Sequence, residues 1–232
     1  MEFDWENNVA NRKEKEAVAT KIIERVKDGD VIGFGSGTTS YIAIKLIAKK
    51  IKKENIKIKA IPTSNIIYEL CKKLNIETTT LEKQKPNWCF DGADEVDENN
   101  NLIKGMGAAL YKEKLNIKAS NENYILVDKS KFVKKLGEKH PIPVECDRDK
   151  KEQIKEELFK LGAVKIEIRK SNTEDEPLIT DNGKIILDTW FNNISQNLEK
   201  EINKIDGVLE NGLFIGYNII SVDSNTKLTT KI

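Results

Sequence analysis

The sequence predicts an α/β fold, and three observations support that prediction. Helical and strand patterns alternate up to about residue 130, which is typical of βαβ units around a mainly parallel sheet. A glycine-rich turn at 35–40 joins an apolar strand to a helix. Beyond Pro141 and Pro143 the pattern changes to charged helices and a hairpin. The sequence therefore predicts a Rossmann-like domain of mainly parallel sheet, with a second, smaller α+β domain inserted before the C-terminal strands.

The elements of the first domain follow in alternation. Val18, Ile22 and Val26 recur at four-residue spacing, and Gly29 follows as a stop signal, which predicts the first helix. Further apolar runs predict a strand at 31–34, a helix through Ile42 and Leu46, a strand at 56–61, a helix capped by Thr63 or Ser64, a strand at 88–90, a helix through Tyr111 and Leu115, and a strand at 124–127.

The second domain is predicted from shorter elements: a helix through Ile154 and Leu158, a strand at 164–169, a hairpin at 178–187 and a helix through Ile194, Leu198 and Ile202. Asn182-Gly183 favours a tight hairpin turn. Strands near Ile219-Ile220 and at the C-terminus are expected to return to the first sheet. The predicted domains are 1–135 plus 207–232, and 136–206.

Composition excludes several classes of function. The 39 basic and 38 acidic residues leave a net charge of +1, which gives no reason to expect nucleic acid or an anionic membrane as a partner. No apolar run approaches the roughly 18 residues of a membrane span, and the N-terminus does not read as a signal peptide. Cys71, Cys89 and Cys146 lack metal-binding spacing, and His140 is the only histidine. We expect a cytoplasmic protein with no metal and no cofactor.

The glycine-rich turn carries the first candidate site. Ser36, Gly37, Thr38 and Thr39 stand between a strand and a helix, where backbone N–H groups and the helix dipole favour an anion such as phosphate. The turn lacks the lysine of a Walker A loop, and Thr38 replaces the third glycine of a dinucleotide site. A turn that needs glycine only for its geometry remains the alternative.

The acidic turn after the strand at 88–90 carries the second candidate site. Leu102 and Ala108 occupy positions where a calcium loop starting at Asp97 requires glycine and glutamate, so that interpretation fails. Asp91 follows an apolar strand directly, and Lys104 precedes Gly105. Both facts favour the edge of a pocket over a solvated acidic turn, which is the alternative.

Glu113 lies on the helix that follows Gly107. Its local pattern alone favours an exposed acid between Lys112 and Lys114, rather than a functional residue.

Together these segments resemble the type A ribose-5-phosphate isomerase family, from near residue 13 to the C-terminus. The matching segments, in the same order, are 35–39 (GSGTT), 91–97 (DGADEVD), 102–110 (LIKGMGAAL), 113–114 (EK), 127–131 (VDKSK), 141–145 (PIPVE), 180–183 (TDNG) and 207–214 (GVLENGLF). The family usually has glycine at Met106, and Thr-Gly-Ser-Thr where this chain has 36–39.

The resemblance implies metal-free interconversion of ribose 5-phosphate and ribulose 5-phosphate through an enediolate, by a homodimer or a dimer of dimers. It makes Glu113 the general base, and Asp91, Asp94 and Lys104 its partners in ring opening and oxyanion stabilisation. It implies that the sugar phosphate is bound by Ser36, Gly37, Thr38, Thr39, Gly92, Ala93, Gly105, Met106, Gly107 and Lys131.

Two other interpretations stay open at the level of sequence. One is a different enzyme on a related fold, such as a sugar-phosphate deaminase-isomerase or a coenzyme A transferase. The other is a non-catalytic sugar-phosphate sensor fused to a DNA-binding module, although the residues before the first strand are not strongly basic.

Overall fold

The computed structural model describes residues 9–171 and 176–226. By packing, the chain divides into two compact units. The first comprises Met1–Gly92, Leu115–Lys131 and Asn218–Ile232, and the second comprises Ala93–Lys114 and Phe132–Tyr217. Packing alone does not decide which segments fold or function together, so the predicted domain boundaries stay a prediction.

The first unit contains a six-stranded sheet in the order β13-β7-β4-β1-β2-β3, in which every pairing is parallel. Its strands are β1 (Val31–Phe34), β2 (Lys59–Pro62), β3 (Glu77–Thr78), β4 (Trp88–Asp91), β7 (Asn123–Leu126) and β13 (Ile219–Val222). The central strands are short apolar runs, as expected where both faces of a parallel sheet are covered. This sheet confirms the predicted fold class, and β13 confirms the predicted return of the chain to it. The predicted strand at the C-terminus lies outside the residues that the structure describes.

The helices of the first unit are α1 (Arg12–Ile23), α2 (Thr38–Glu54) and α3 (Asn65–Lys73). Ser64 caps α3, because its hydroxyl accepts a hydrogen bond from the Ile67 N–H at 3.3 Å. Apolar side chains of the helices and strands form one core, which includes Val18, Ile22, Phe34, Ile44, Ile47, Trp88 and Phe90. Within the described residues, no helix is both long and apolar enough to cross a lipid bilayer.

The second unit contains two antiparallel sheets. One has the order β12-β6-β5, from β5 (Glu95–Val96), β6 (Leu102–Ile103) and β12 (Leu213–Phe214). The other has the order β11-β8-β10-β9, from β8 (Ile142–Cys146), β9 (Ala163–Ile168), β10 (Ile185–Phe191) and β11 (Val208–Asn211). Helices α5 (Lys151–Lys160) and α6 (Leu198–Ile202) contribute to its core, with Ile154, Leu158, Leu198 and Ile202. Helix α4 (Leu110–Ala119) begins in this unit, and its residues from Leu115 on belong to the first.

Several boundaries differ from the prediction. The predicted strand at 56–61 begins only at Lys59, and the predicted helix through Ile194 begins at Leu198. The first arm of the predicted hairpin is not a strand, although its turn is present, with Gly183 at φ 71° and its N–H bonded to the Thr180 carbonyl oxygen at 2.9 Å. The two-residue strands β3, β5, β6 and β12 were not predicted, because two residues are too few to show a periodic pattern.

Candidate active site

The candidate residues fall on both units. In the first unit, the glycine-rich turn lies between β1 and α2. Because α2 begins at Thr38, the backbone N–H groups of its first turn have no partner within the helix. No acidic side chain occupies that turn, and Ser36, Gly37 and Thr38 are partly exposed while Thr39 is buried. The first turn of α2 is therefore suited to an anion.

Hydroxyl groups gather where β1 and β2 end. The Ser36 Oγ lies 2.9 Å from the Thr63 Oγ1 and 3.0 Å from the Ser64 Oγ. The Thr63 hydroxyl donates to the Phe34 carbonyl oxygen at 3.0 Å. Sequence reasoning treated Thr63 and Ser64 only as possible helix caps. The parallel pairing of β1 with β2 is what places them beside Ser36.

One lysine of the first unit, Lys15, stands at the same turn. Lys15 Nζ donates to the Thr38 Oγ1 at 3.0 Å. Burial lowers the pKa of Lys15; Asp128 opposes that shift, and the positive charge of the predicted residue Lys131 adds to it. Sequence reasoning missed Lys15. The signal was its position on α1, three and four residues before the buried Val18 and Ala19, which places all three on one side of the helix.

Asp91 ends β4 and is buried, and its Oδ1 accepts a hydrogen bond from the Gly92 N–H at 2.7 Å. Its carboxyl group lies directly against Gly35, where an added Cβ would fall 2.2 Å from the Asp91 Cγ. Only glycine leaves room for this approach. The predicted residues Asp91 and Ser36–Thr39 are thus brought together at the ends of two neighbouring strands, β1 and β4. Gly92 and Ala93 follow and are half-buried.

In the second unit, Lys104 and Glu113 form a buried ion pair. The Lys104 Nζ lies 3.2 Å from the Glu113 Oε2, and the two side chains are 3% and 5% exposed. Lys104 follows β6, where its N–H donates to the Gly212 carbonyl oxygen at 2.9 Å, and Glu113 lies in the first turn of α4. The local interpretation of Glu113 as an exposed acid is wrong, and its neighbour Lys114 is buried as well.

The glycine loop at 105–107 is held from two sides. The Met106 N–H donates to the predicted residue Asp94, at 3.0 Å from Oδ2. Arg169 Nη1 donates to the carbonyl oxygens of Gly105 at 2.7 Å and of Met106 at 3.1 Å. Gly105 has a φ of +105°, a conformation that favours glycine. Sequence reasoning did not identify Arg169, which is 63 or 64 residues away along the chain.

Met106 departs from the usual family pattern, and its side chain lies at the surface. It is 40% exposed, and its sulfur lies 3.5 Å from the Arg169 Nη2. Gly107 is exposed as well, and a Cβ added there would meet no atom within 4 Å. The loop after Lys104 therefore brings two exposed residues close in sequence to a buried ion pair.

The surroundings of two cysteines and of the histidine favour structural roles for these residues. Burial raises the pKa of Cys71 and of Cys146 to about 12, so neither thiol is a nucleophile at neutral pH. His140 Nδ1 lies 3.5 Å from the buried Glu95 Oε1. Across residues 9–171 and 176–226, no cluster of three or more His, Cys, Asp and Glu side chains is arranged to hold a metal ion.

Comparisons with known proteins give the family. The model of a family described as ribose 5-phosphate isomerase A (phosphoriboisomerase A) matches residues 59–225. The chain belongs to this family. It is 44% identical over 206 residues to ribose-5-phosphate isomerase A 1 of Oceanobacillus iheyensis, a match that covers 88% of this chain and 90% of that protein. The predicted resemblance is confirmed, and membership of this family makes the chain an isomerase.

Solved structures show the same fold. The ribose 5-phosphate isomerase A of Methanocaldococcus jannaschii is 39% identical, with a TM-score of 0.88 over 91% of this chain and 95% of that one. A D-ribose-5-phosphate isomerase in complex with phospho-erythronic acid is 37% identical, with a TM-score of 0.87 over 92% and 95% of the two chains. Membership of this family replaces the other two interpretations of the sequence, a different enzyme on a related fold and a DNA-binding sensor. The roles of individual residues stay predictions.

Proposed function

We propose that this isomerase interconverts D-ribose 5-phosphate and D-ribulose 5-phosphate through an enediolate, with Glu113 as the base. The observation that carries the proposal is the buried Lys104–Glu113 pair, at 3.2 Å, in a chain of this family. A carboxylate held beside an ammonium group in a site with little water is suited to moving a proton between carbons. A related structure contains phospho-erythronic acid, and we expect this chain to bind the same class of phosphorylated sugar acid.

In the open-chain aldose, the Glu113 carboxylate removes the proton from C2. The electrons of that bond form the C1=C2 double bond of the enediolate, and negative charge develops on O1. Glu113 then returns that proton to C1 while the proton of the O2 hydroxyl passes to O1, which leaves a hydroxyl group on C1 and the ketone at C2. The Lys104 ammonium group stabilises the developing oxyanion, an interaction that is strong because the pair is shielded from solvent.

Asp91 and Asp94 are proposed to open the sugar ring by proton transfer at its oxygen atoms. Asp91 is buried beside the glycine-rich turn, and Asp94 is bonded to the Met106 N–H. Gly92, Ala93, Gly105, Met106 and Gly107 are proposed to contact the sugar hydroxyls, and the exposure of Gly107, where an added Cβ would meet no atom within 4 Å, supports that role.

The phosphate is proposed to bind in the first unit, at the N-terminus of α2. Ser36, Gly37, Thr38 and Thr39 supply N–H and hydroxyl donors there. We add Lys15 to the predicted Lys131 as a source of positive charge, because Lys15 Nζ already donates to the Thr38 hydroxyl.

We also propose a metabolic pathway and a cellular compartment for this reaction. The reaction belongs to the non-oxidative pentose phosphate pathway, and the three buried thiols suit the reducing cytoplasm. We propose a homodimer or a dimer of dimers, which light scattering of the purified protein would test.

Steady-state kinetics with ribose 5-phosphate test the proposal. The wild type should turn over the substrate, and Glu113→Gln should lower kcat by about 10³-fold, because the amide cannot accept the proton. Glu98→Gln is the matched control, since Glu98 is an exposed acid in the nearby acidic turn. It should stay within about twofold of the wild type. An inactive wild type, or a Glu113→Gln variant with near-normal kcat, would overturn the proposal.

A further inference from the structure

Lys114 is the residue after Glu113, and its ammonium group is completely enclosed. Nζ lies 2.9 Å from the Glu199 Oε1 and 3.0 Å from the Glu210 Oε1. It also lies 2.8 Å from the Asn211 carbonyl oxygen and 2.6 Å from the Leu213 carbonyl oxygen. The side chain is 0% exposed. Four oxygen atoms thus surround a group that has three protons to donate.

The segment 210–214 that receives Lys114 also contacts Lys104. The Gly212 carbonyl oxygen accepts the Lys104 N–H at 2.9 Å, and Leu213 pairs with Ile103, the residue before Lys104. The Phe214 ring lies 4.6 Å from the Lys114 Nζ and 5.9 Å from the Lys104 Nζ. One short segment therefore contacts both lysines.

This arrangement joins the two members of the proposed catalytic pair. Glu113 and Lys114 are consecutive residues in α4, so the bonds of Lys114 fix the rotation of the turn that carries Glu113. Lys104 is fixed by Gly212, which belongs to the segment bound by Lys114. A change at Lys114 would therefore shift Glu113 relative to Lys104.

A contribution to the stability of the fold does not by itself explain the buried ammonium group of Lys114. Burial lowers the pKa of Lys114, while the charges of Glu210 and Glu199 raise it, so the ion pairs only offset the cost of removing the charge from water. What the ammonium group adds is a set of directional bonds to two carboxylates, one of them on α6, and to two carbonyl oxygens of the segment 210–214.

We propose that Lys114 is a positioning residue, which sets the geometry of Lys104 and Glu113 without touching the substrate. The proposal rests on the proposed function of that pair. A displacement of about 1 Å in a catalytic group can cost about 100-fold in rate.

Kinetics of Lys114→Met test the proposal. Methionine keeps most of the length of the side chain and removes its hydrogen bonds. We expect kcat to fall about 100-fold with KM within about threefold, because positioning acts on the transition state. Tyr217→Phe is the matched control. It removes the Tyr217 hydroxyl bond to Glu199, at 2.7 Å, and leaves every contact of Lys114 in place. It should stay within about threefold in kcat.

The same substitution in the Glu113→Gln background separates positioning from a general structural effect. If Lys114 acts through Glu113, Lys114→Met should lower the residual rate by less than about threefold further. A further loss of about 100-fold would overturn the proposal, as would a normal kcat for Lys114→Met in the otherwise wild-type enzyme. A normal kcat for Lys114→Met, together with an inactive Glu113→Gln variant, would overturn only the positioning role of Lys114 and would leave the proposed function intact.

The single variant leaves two buried carboxylates without their cation, which can prevent folding. In that case Lys114→Met/Glu210→Gln carries the test, because it removes one carboxylate together with the ammonium group. The same loss of kcat per folded molecule is expected, with folding measured by circular dichroism. A normal kcat per folded molecule would overturn the proposal.

Discussion

Lys104 and Lys114 are both buried in the second unit, and each is paired with glutamate, yet their surroundings differ. Lys114 is enclosed by two carboxylates and two carbonyl oxygens, with no exposed surface. Lys104 is paired with Glu113 at 3.2 Å and precedes a loop in which Met106 and Gly107 are exposed.

The difference shows why burial of a charge does not by itself identify a catalytic group. The contacts of Lys114 join elements that are distant in sequence, which is what a structural centre requires. Between Lys104 and Glu113 the chain passes through a loop in which Met106 and Gly107 are exposed. We therefore expect substitutions of Lys114 to act mainly on folding and geometry, and substitutions of Lys104 to act mainly on chemistry.

The largest expected effect on stability is that of Lys114→Met. Removing the cation leaves Glu199 and Glu210 buried without it, which should lower the free energy of unfolding by about 3–5 kcal/mol. Lys104→Met should cost less, because only one buried carboxylate loses its partner. Urea denaturation of both variants measures the difference. A greater loss for Lys104→Met would contradict the comparison.

The largest expected effect of Lys104→Met is on catalysis. Removing the charge that stabilises the oxyanion should lower kcat by about 10²–10³-fold. Kinetics with ribose 5-phosphate, corrected for the folded fraction, measure this loss. A kcat within threefold of the wild type would exclude Lys104 from the chemistry.

A lysine of the first unit extends the comparison. Lys15→Met should raise KM about tenfold and leave kcat within about threefold, because a charged hydrogen bond to phosphate contributes to ground-state and transition-state binding alike. Lys13→Met is the control, since Lys13 is exposed on the same helix. Equal effects of the two substitutions on KM would remove Lys15 from the phosphate site.

The smallest expected effects concern pH and the carboxylates near Lys114. Burial alone would raise the pKa of Glu210, but Lys114 and hydrogen bonds from Asn211 and Asn203 hold it below its ordinary value of 4.5. Glu210 therefore stabilises the fold above pH 4.5, and this stability is lost as pH falls through the lowered pKa. Glu210→Gln should reduce this loss of stability at acid pH by an amount on the order of 1 kcal/mol.

Glu145 lies opposite Glu210 in the pairing of β8 with β11. Its effect on the pH dependence of stability has the opposite sign. Burial raises the pKa of Glu145 above 4.5, although bonds from Thr180 and Asn182 oppose the shift. Its contribution is fully present below the unfolded pKa and is lost as pH rises through the raised pKa. Glu145→Gln should remove this decline. Thermal melts from pH 3 to pH 8 check both variants, and identical pH profiles would contradict the assignment.

Local sequence was sufficient for the parts of the fold that depend on neighbouring residues. The apolar run of β1, its glycine-rich turn and the helix α2 appear where the residues predict them, since strand, turn and helix signals all lie within 31–54. Lys104 was recognised because it precedes Gly105 in a loop.

Contacts between distant residues could not be read in this way. Glu113 and Lys114 look like surface charges, and Lys114 is buried by carbonyl groups 97 and 99 residues further along the chain. Lys15 reaches Thr38 only because α1 packs beside α2. The role of Glu113 was therefore predicted from the family resemblance, and its burial was found only in the folded chain.

The most direct test of the central claim is turnover of ribose 5-phosphate in D₂O, with deuterium at C1 and C2 followed by NMR. If Glu113 moves the proton through an enediolate, the wild type should incorporate deuterium at these carbons during turnover. Glu113→Gln should lose both turnover and incorporation by about 10³-fold. Turnover by the wild type without any incorporation, or incorporation by Glu113→Gln at a near-normal rate, would contradict the account.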